Sequence, residues 1–166
     1  MEAVIFYQRE MRKPPEIDWL IERSKITEAI VGFANALDEK NWQKLRGYLA
    51  TEIEIDYLDF RGELPRRVTA EEYVKQRVDG LAGLRTLHIS TNHEVTIKEN
   101  IAYCKSAYCI YRVDPTLEAG QNRLDTAGNY LHRLIRVDQE WRVNAIKQTV
   151  VVMSGNRQVH GAFHNS

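Results

Sequence analysis

From residue 84 onward the chain is almost continuously β-patterned, and this run constrains the fold more than any other feature. Segments 84–97, 101–113, 123–137 and 140–153 each carry the alternation of a strand. Lys98-Glu99-Asn100 and Asp138-Gln139-Glu140 are short enough to close antiparallel hairpins, and Asp114 to Arg123, with Pro115 and Gly120, reads as a longer hairpin loop. Upstream the period is helical. Leu20, Ile21, Ile26, Ile30, Val31, Phe33, Ala34 and Leu37 recur at helix spacing from Asp18 to about Leu37. A break at Asp38-Glu39-Lys40-Asn41 follows, and Asn41 caps a second helix from Trp42 to about Leu49. Ile53, Ile55 and Tyr57 then alternate with Glu52, Glu54 and Asp56, which predicts a half-buried strand over 52–60. Thr69 and Glu72 form a capping-box pattern that opens a third helix running to about Asp79, released by Gly80 to Gly83.

Helices grouped early and an antiparallel meander late define an α+β domain over 16–153 rather than a doubly wound sheet. A curved antiparallel sheet wrapped around the N-terminal helices leaves an internal pocket between them. Residues 1–15 end in Lys13-Pro14-Pro15 and read as an extended arm, whose Val4, Ile5, Phe6 and Tyr7 are suited to docking on the body or on a neighbouring subunit. Residues 154–166 read as a polar tail.

Charge and composition narrow the function. Lys+Arg and Asp+Glu both number 23, so the chain lacks the positive field that nucleic-acid binding requires. No apolar run reaches the roughly 18 residues of a membrane span, and the polar, acidic N-terminus lacks the apolar core of a signal peptide. Cys104 and Cys109 fall on opposite faces of one strand and cannot pair with each other. These features point to a cytoplasmic protein with no nucleic-acid or membrane partner. There is no phosphate loop, no metal-ligand spacing and no serine elbow, so neither a metal nor a cofactor is expected.

Three residues stand out for chemistry. Asp38 ends the first helix; local pattern alone makes it a turn aspartate, while an inward orientation against apolar walls would make it functional. His88 shares a strand face with Thr86, Ser90 and Asn92, opposite Leu87, Ile89, Val95 and Ile97. That polar face is either solvated or the lining of a pocket, and a lone strand histidine is more often solvated or structural than catalytic. His93 falls on the other face. Tyr57 should point inward with a hydroxyl in need of a partner, able to hold a substrate oxygen or a water. Tyr111 and Tyr130 on later strands read first as core packing, and His132 has no companion that would make it a ligand.

The stretches Ala36-Leu37-Asp38-Glu39-Lys40-Asn41-Trp42, Glu54-Ile55-Asp56-Tyr57 and Leu84-Arg85-Thr86-Leu87-His88 resemble the scytalone dehydratase branch of the SnoaL-like, NTF2-like superfamily, as do Thr69-Ala70-Glu71-Glu72 and Trp141-Arg142-Val143. The resemblance covers about residues 16–153 and implies an NTF2-like cone. It places the family's catalytic aspartate on Asp38, its strand histidine on His88 and its first-strand tyrosine on Tyr57. The departures are specific. Leu37 stands where scytalone dehydratase has a tyrosine, its second histidine falls on Tyr111, and an asparagine aligns near Tyr130. Phe33 replaces the lysine of the dehydrochlorinase branch. Scytalone dehydration and dehydrochlorination are therefore both disfavoured.

The implied activity is a cofactor-independent lyase (dehydratase) or isomerase working by Asp–His acid/base chemistry. Its substrate would be a small polyketide-, terpenoid-, steroid- or aromatic-like ring, held by Phe33, Leu37, Ile55, Tyr111 and Tyr130. The alternative is a non-catalytic ligand-binding module or accessory subunit. An Asp38–His88 contact of about 3 Å would favour the enzyme. Self-association as a dimer or trimer is expected under either.

Overall fold

The computed structural model describes residues 15–161. Helix α1 (Pro15–Asp38) opens on a proline, whose missing N–H costs nothing at a first helical position, and carries Glu16 and Asp18 in its first turn. Its buried stripe is Ile26, Ala29, Ile30, Phe33, Ala36 and Leu37. Asn41 caps α2 (Trp42–Gly47) by accepting from the Lys44 N–H at 3.0 Å. Strand β1 (Leu49–Asp56) leads to α3 (Leu58–Arg61), which Gly62 ends at a φ of 74°. Strand β2 (Arg66–Thr69) then feeds α4 (Ala70–Leu81). The expected capping box is formed: Thr69 Oγ1 accepts from the Glu72 N–H at 3.1 Å, and Glu72 accepts from the Thr69 N–H at 2.7 Å.

The four late strands are β3 (Arg85–Lys98), β4 (Ile101–Val113), β5 (Arg123–Val137) and β6 (Glu140–Gly155). The sheet order is β2-β1-β6-β5-β4-β3. The fold is the expected α+β cone, with two additions. Elements α3 and β2 are four residues each, too short for periodicity to reveal. And β1 pairs with β6 in parallel, so the sheet is antiparallel except at that junction. The segment 52–60 thus divides at Asp56 into a strand end and a helical turn. The arm expected over 1–15 lies outside the described residues except for the backbone of Pro15. At the other end, the described chain closes with a short 3-10 turn (Arg157–Val159), and Val159 and His160 are buried.

Curvature comes from interruptions of register. On β3 the pairing slips between Thr91 and Glu94, where Asn92 has a φ of 55°. Thr86, His88 and Ser90 face inward before that bulge, and Val95 and Ile97 pack against the core after it. The simple alternation that set His93, Val95 and Ile97 on the face opposite His88 is therefore broken. His93 instead meets Ser90 Oγ at 2.9 Å through Nε2. A second slip falls at Ala127/Gly128 on β5, where a Cβ on Gly128 would sit 2.0 Å from the Thr149 carbonyl oxygen.

Glu22 ties α1 to the β5–β6 hairpin. It accepts from Arg136 Nη2 at 2.6 Å and from Trp141 Nε1 at 2.8 Å. Burial works to raise its pKa, but hydrogen bonds from Lys25, Trp141 and Arg136 outweigh this and hold it at about 2. A depressed carboxylate contributes stability that is present above its unfolded value and lost as pH falls through the folded one. The latch should therefore weaken between pH 4.5 and about 2. Glu22→Gln is expected to cost about 1–2 kcal/mol at neutral pH after allowance for solvent screening, and to cost little at pH 2. Urea melts at the two pH values check this; an equal loss at both would refute it.

Candidate active site

An aspartate at a helix C-terminus sits at the negative end of the helix dipole, so its charge needs other support. Asp38 receives it from β3. Thr86 Oγ1 donates to Asp38 Oδ1 at 2.8 Å, and the His88 backbone N–H donates to Oδ2 at 2.7 Å. His88 Nδ1 lies 2.5 Å from Oδ1. Lys40, held in the left-handed region at a φ of 55°, extends the chain of contacts: its Nζ donates to Thr86 Oγ1 at 2.8 Å and to the Leu37 carbonyl at 3.2 Å. The side chains of His88 and Asp38 are 10% and 18% exposed, so this network is shielded from water but open to one side.

The electrostatics assign the proton. Burial is the largest influence on Asp38 and acts to raise its pKa, yet the donors from His88 and Thr86 prevail and hold it low. Burial lowers the pKa of His88, and the charges of Arg112 and Lys40 act the same way against Asp38. The pair is therefore an aspartate beside a neutral imidazole. The Nδ1 proton is committed to Asp38, which leaves the Nε2 lone pair as the free base.

His88 borders a central cavity shared with Phe33, Leu37, Tyr130 and Ile110. The free space in each of its two adjoining parts is about 30 Å³, so side chains must yield for a ring to enter. Next to it lies an open cleft of about 570 Å³. Arg77, Leu81 and His160 line both. Tyr57 is in the cavity wall, 4% exposed, and its hydroxyl meets the Tyr73 hydroxyl at 3.0 Å. Asp38, His88, Tyr57, Phe33, Leu37 and Tyr130 are thus brought together.

Two expected lining residues are not. Tyr111 is on the outer face, 37% exposed and stacked under Arg123, because the inward positions of β4 are Ser106, Tyr108, Ile110 and Arg112. Ile55 is fully in the core, paired in register with Ile146, and it is Ile146 that reaches the cavity. Sequence reading also passed over Arg77, Arg112, Gln148 and His160 on the cavity wall. For Arg112 the signal was available: it shares strand parity with Tyr108 and Ile110.

Among the described residues no group of three His, Cys, Asp or Glu side chains could hold a metal, and no helix is long and apolar enough to cross a membrane.

An N-terminal helical layer on a strongly curved, unclosed sheet, with an inward Asp–His pair, defines an NTF2-like α+β cone. The chain belongs to the SnoaL-like domain family, whose family model matches residues 19–147. Among solved structures, a Kribbella flavida protein is similar at a TM-score of 0.79 and 23% identity, covering 82% of this chain and 95% of that one. A Novosphingobium aromaticivorans protein provisionally named a scytalone dehydratase has a TM-score of 0.74 and 14% identity, over 86% and 92% of the two chains. A hexachlorocyclohexane dehydrochlorinase, LinA type 2, has a TM-score of 0.70 and 14% identity, over 84% and 91%. At these identities the likeness concerns the fold. No curated protein matches the chain.

Proposed function

We propose that this protein is a cofactor-independent lyase or isomerase that moves a proton on a small cyclic substrate. The observation that carries this reading is the 2.5 Å contact between Asp38 Oδ1 and His88 Nδ1, which leaves Nε2 as a base at the cavity wall. His88 Nε2 takes a proton from the carbon next to a carbonyl, and Asp38 stabilises the imidazolium that forms. In a dehydration the C–H electron pair becomes the new C=C bond. The β C–O bond breaks, and the imidazolium returns its proton to the departing hydroxyl, which leaves as water. In an isomerisation the same proton is redelivered to the γ carbon. Tyr57 holds the substrate oxygen, and Phe33, Leu37 and Tyr130 supply apolar walls for polyketide-, terpenoid-, steroid- or aromatic-like rings. Names among the structural neighbours, one provisionally a scytalone dehydratase and one a dehydrochlorinase, support elimination chemistry in this cone.

The test is a panel of cyclic hydroxyketones assayed for loss of water or a double-bond shift. Because the pKa of His88 lies below 6.5, kcat/KM should be flat at neutral pH and fall on the acid side as the base is protonated. Turnover by the His88→Ala variant equal to wild type would end this assignment, and binding without turnover would make the protein a carrier. Self-association is a further part of the proposal, through the outer sheet face that exposes Leu87, Ile89, Tyr103, Tyr111 and Leu131.

A further inference from the structure

Beside the Asp–His pair, the wall between cleft and cavity carries three arginines with little to neutralise them. Arg112 is 3% exposed, and the Arg61 side chain is 7% exposed. Arg61 and Arg77 line the open cleft; Arg77 and Arg112 line the central cavity. Together they mark a cationic path from solvent towards His88. Their neighbours are mostly aromatic faces. Arg61 lies over Tyr57 at 4.6 Å, Arg77 over Tyr73 at 4.8 Å and Arg112 over Phe60 at 5.2 Å.

A buried guanidinium normally finds a carboxylate. Here Arg61 reaches Glu63 at 3.5 Å, and Arg112 donates Nη1 to the neutral Thr126 hydroxyl at 3.0 Å. Among the described residues, neither Arg77 nor Arg112 has a carboxylate within salt-bridge distance. The nearby acids are engaged elsewhere: Asp125 with Arg123 at 2.8 Å, and Asp79 with Lys75 at 2.6 Å. Buried nitrogens of all three guanidinium groups have no hydrogen-bond partner: Nε of Arg77 and Arg112, and Nε and Nη2 of Arg61. The cost shows in the titration of Arg112 and of the neighbouring His160, whereas burial of Arg77 is outweighed by Tyr73, Tyr57, Tyr130 and Glu63, which hold it above its ordinary value. Burial pulls Arg112 down to about 10, and burial together with Arg112, Arg77 and Arg61 pushes His160 to about 2.

Unpaired buried cations destabilise a fold unless something compensates them. We infer that the ligand carries a carboxylate, which Arg112 and Arg77 bind as the missing counter-ion. This rests on the proton-transfer reading only in treating the ligand as the substrate. On the sheet, Arg112 stands two positions from Ile110, the residue opposite His88, which is about 7 Å along the strand. A ring carboxylate held at Arg112 would therefore place the ring itself beside the imidazole. The guanidinium fork suits a carboxylate, which it can bind through two parallel hydrogen bonds. The chemical class is then a cyclic carboxylic acid rather than a neutral ring.

Matched probes test this directly: benzoate against benzamide, and 1-naphthoate against 1-naphthamide, by calorimetry and thermal shift on the full chain at pH 7.5. At least one carboxylate is expected to bind tenfold or more tightly than its amide. Arg112→Met should abolish that preference while leaving the melting temperature of the free protein unchanged or raised, since it removes an uncompensated buried charge. Arg77→Gln should reduce the preference without loss of fold, and serves as the second variant if Arg112→Met is unstable. Equal binding of acid and amide, or no binding of either pair, overturns the inference. So does an Arg112→Met protein that is strongly destabilised yet keeps the preference, for that arginine would be structural. His88→Ala should keep the preference for acid over amide, whatever its effect on the affinity of both, so failure of the chemistry and failure of the anion site read out separately.

Discussion

Replacing His88 with alanine is expected to lower turnover of any responsive cyclic substrate by about 10²–10⁴-fold, the usual worth of a positioned general base. Among the described residues, this side chain is what joins Asp38 to the cavity: its Nδ1 is on the carboxylate and its ring lines the cavity wall. Asp38→Asn should produce a loss of similar order by a different route. The amide keeps the shape but not the charge, so the imidazolium formed in the reaction is no longer stabilised and the tautomer is no longer fixed. The two effects should not add, because each removes the same unit. Initial rates for both single variants and the double variant check this. Additive losses would mean that Asp38 and His88 act independently, and the pair would lose its meaning.

Gly128→Ala is expected to be among the most damaging single-methyl changes. A Cβ there would lie 2.0 Å from the Thr149 carbonyl oxygen and about as close as 3.1 Å to Val150 Cα, both backbone atoms of the neighbouring strand. Neither can swing away as a side-chain tip would. Relief requires β5 and β6 to separate at the bulge, at a cost of about 1–3 kcal/mol or more. For a chain of this size that corresponds to roughly 2–12 °C in Tm. The change also reaches the site, since Tyr130 and Gln148 form a register pair close to that bulge. Calorimetry on the purified variant measures the first effect. A Tm within a degree of wild type would show that the strand pair tolerates the methyl.

The sequence made the long elements legible because they repeat one rule many times. Four strands with polar breaks and a helix with a continuous apolar stripe need no tertiary information. Asp38 was different: nothing local says that a helix-end carboxylate will turn inward, because its donors, Thr86 and His88, come from β3. Resemblance supplied that link, and the geometry brings the residues together. The same resemblance misplaced Tyr111, since matching a family's histidine to the nearest aromatic ignored strand parity, which gives the inward places to Ile110 and Arg112. Parity itself failed past Asn92, where one extra residue exchanges the two faces of β3. Arg112 was readable by alternation but carried no expectation, because an arginine on an inward strand position is costly without a partner.

The donors to Asp38 lie 48 to 50 residues away in the chain, across the whole of α2, β1, α3, β2 and α4. Closing a loop of that length costs entropy that only long-range packing can repay. The Asp38–His88 pair is therefore assembled by a long-range contact and not by local chain geometry. During refolding, helical and sheet signals should return before the docking of α1 on β3 orders the imidazole. Regain of activity would then serve as a clock for the docking of α1 on β3 rather than for secondary structure.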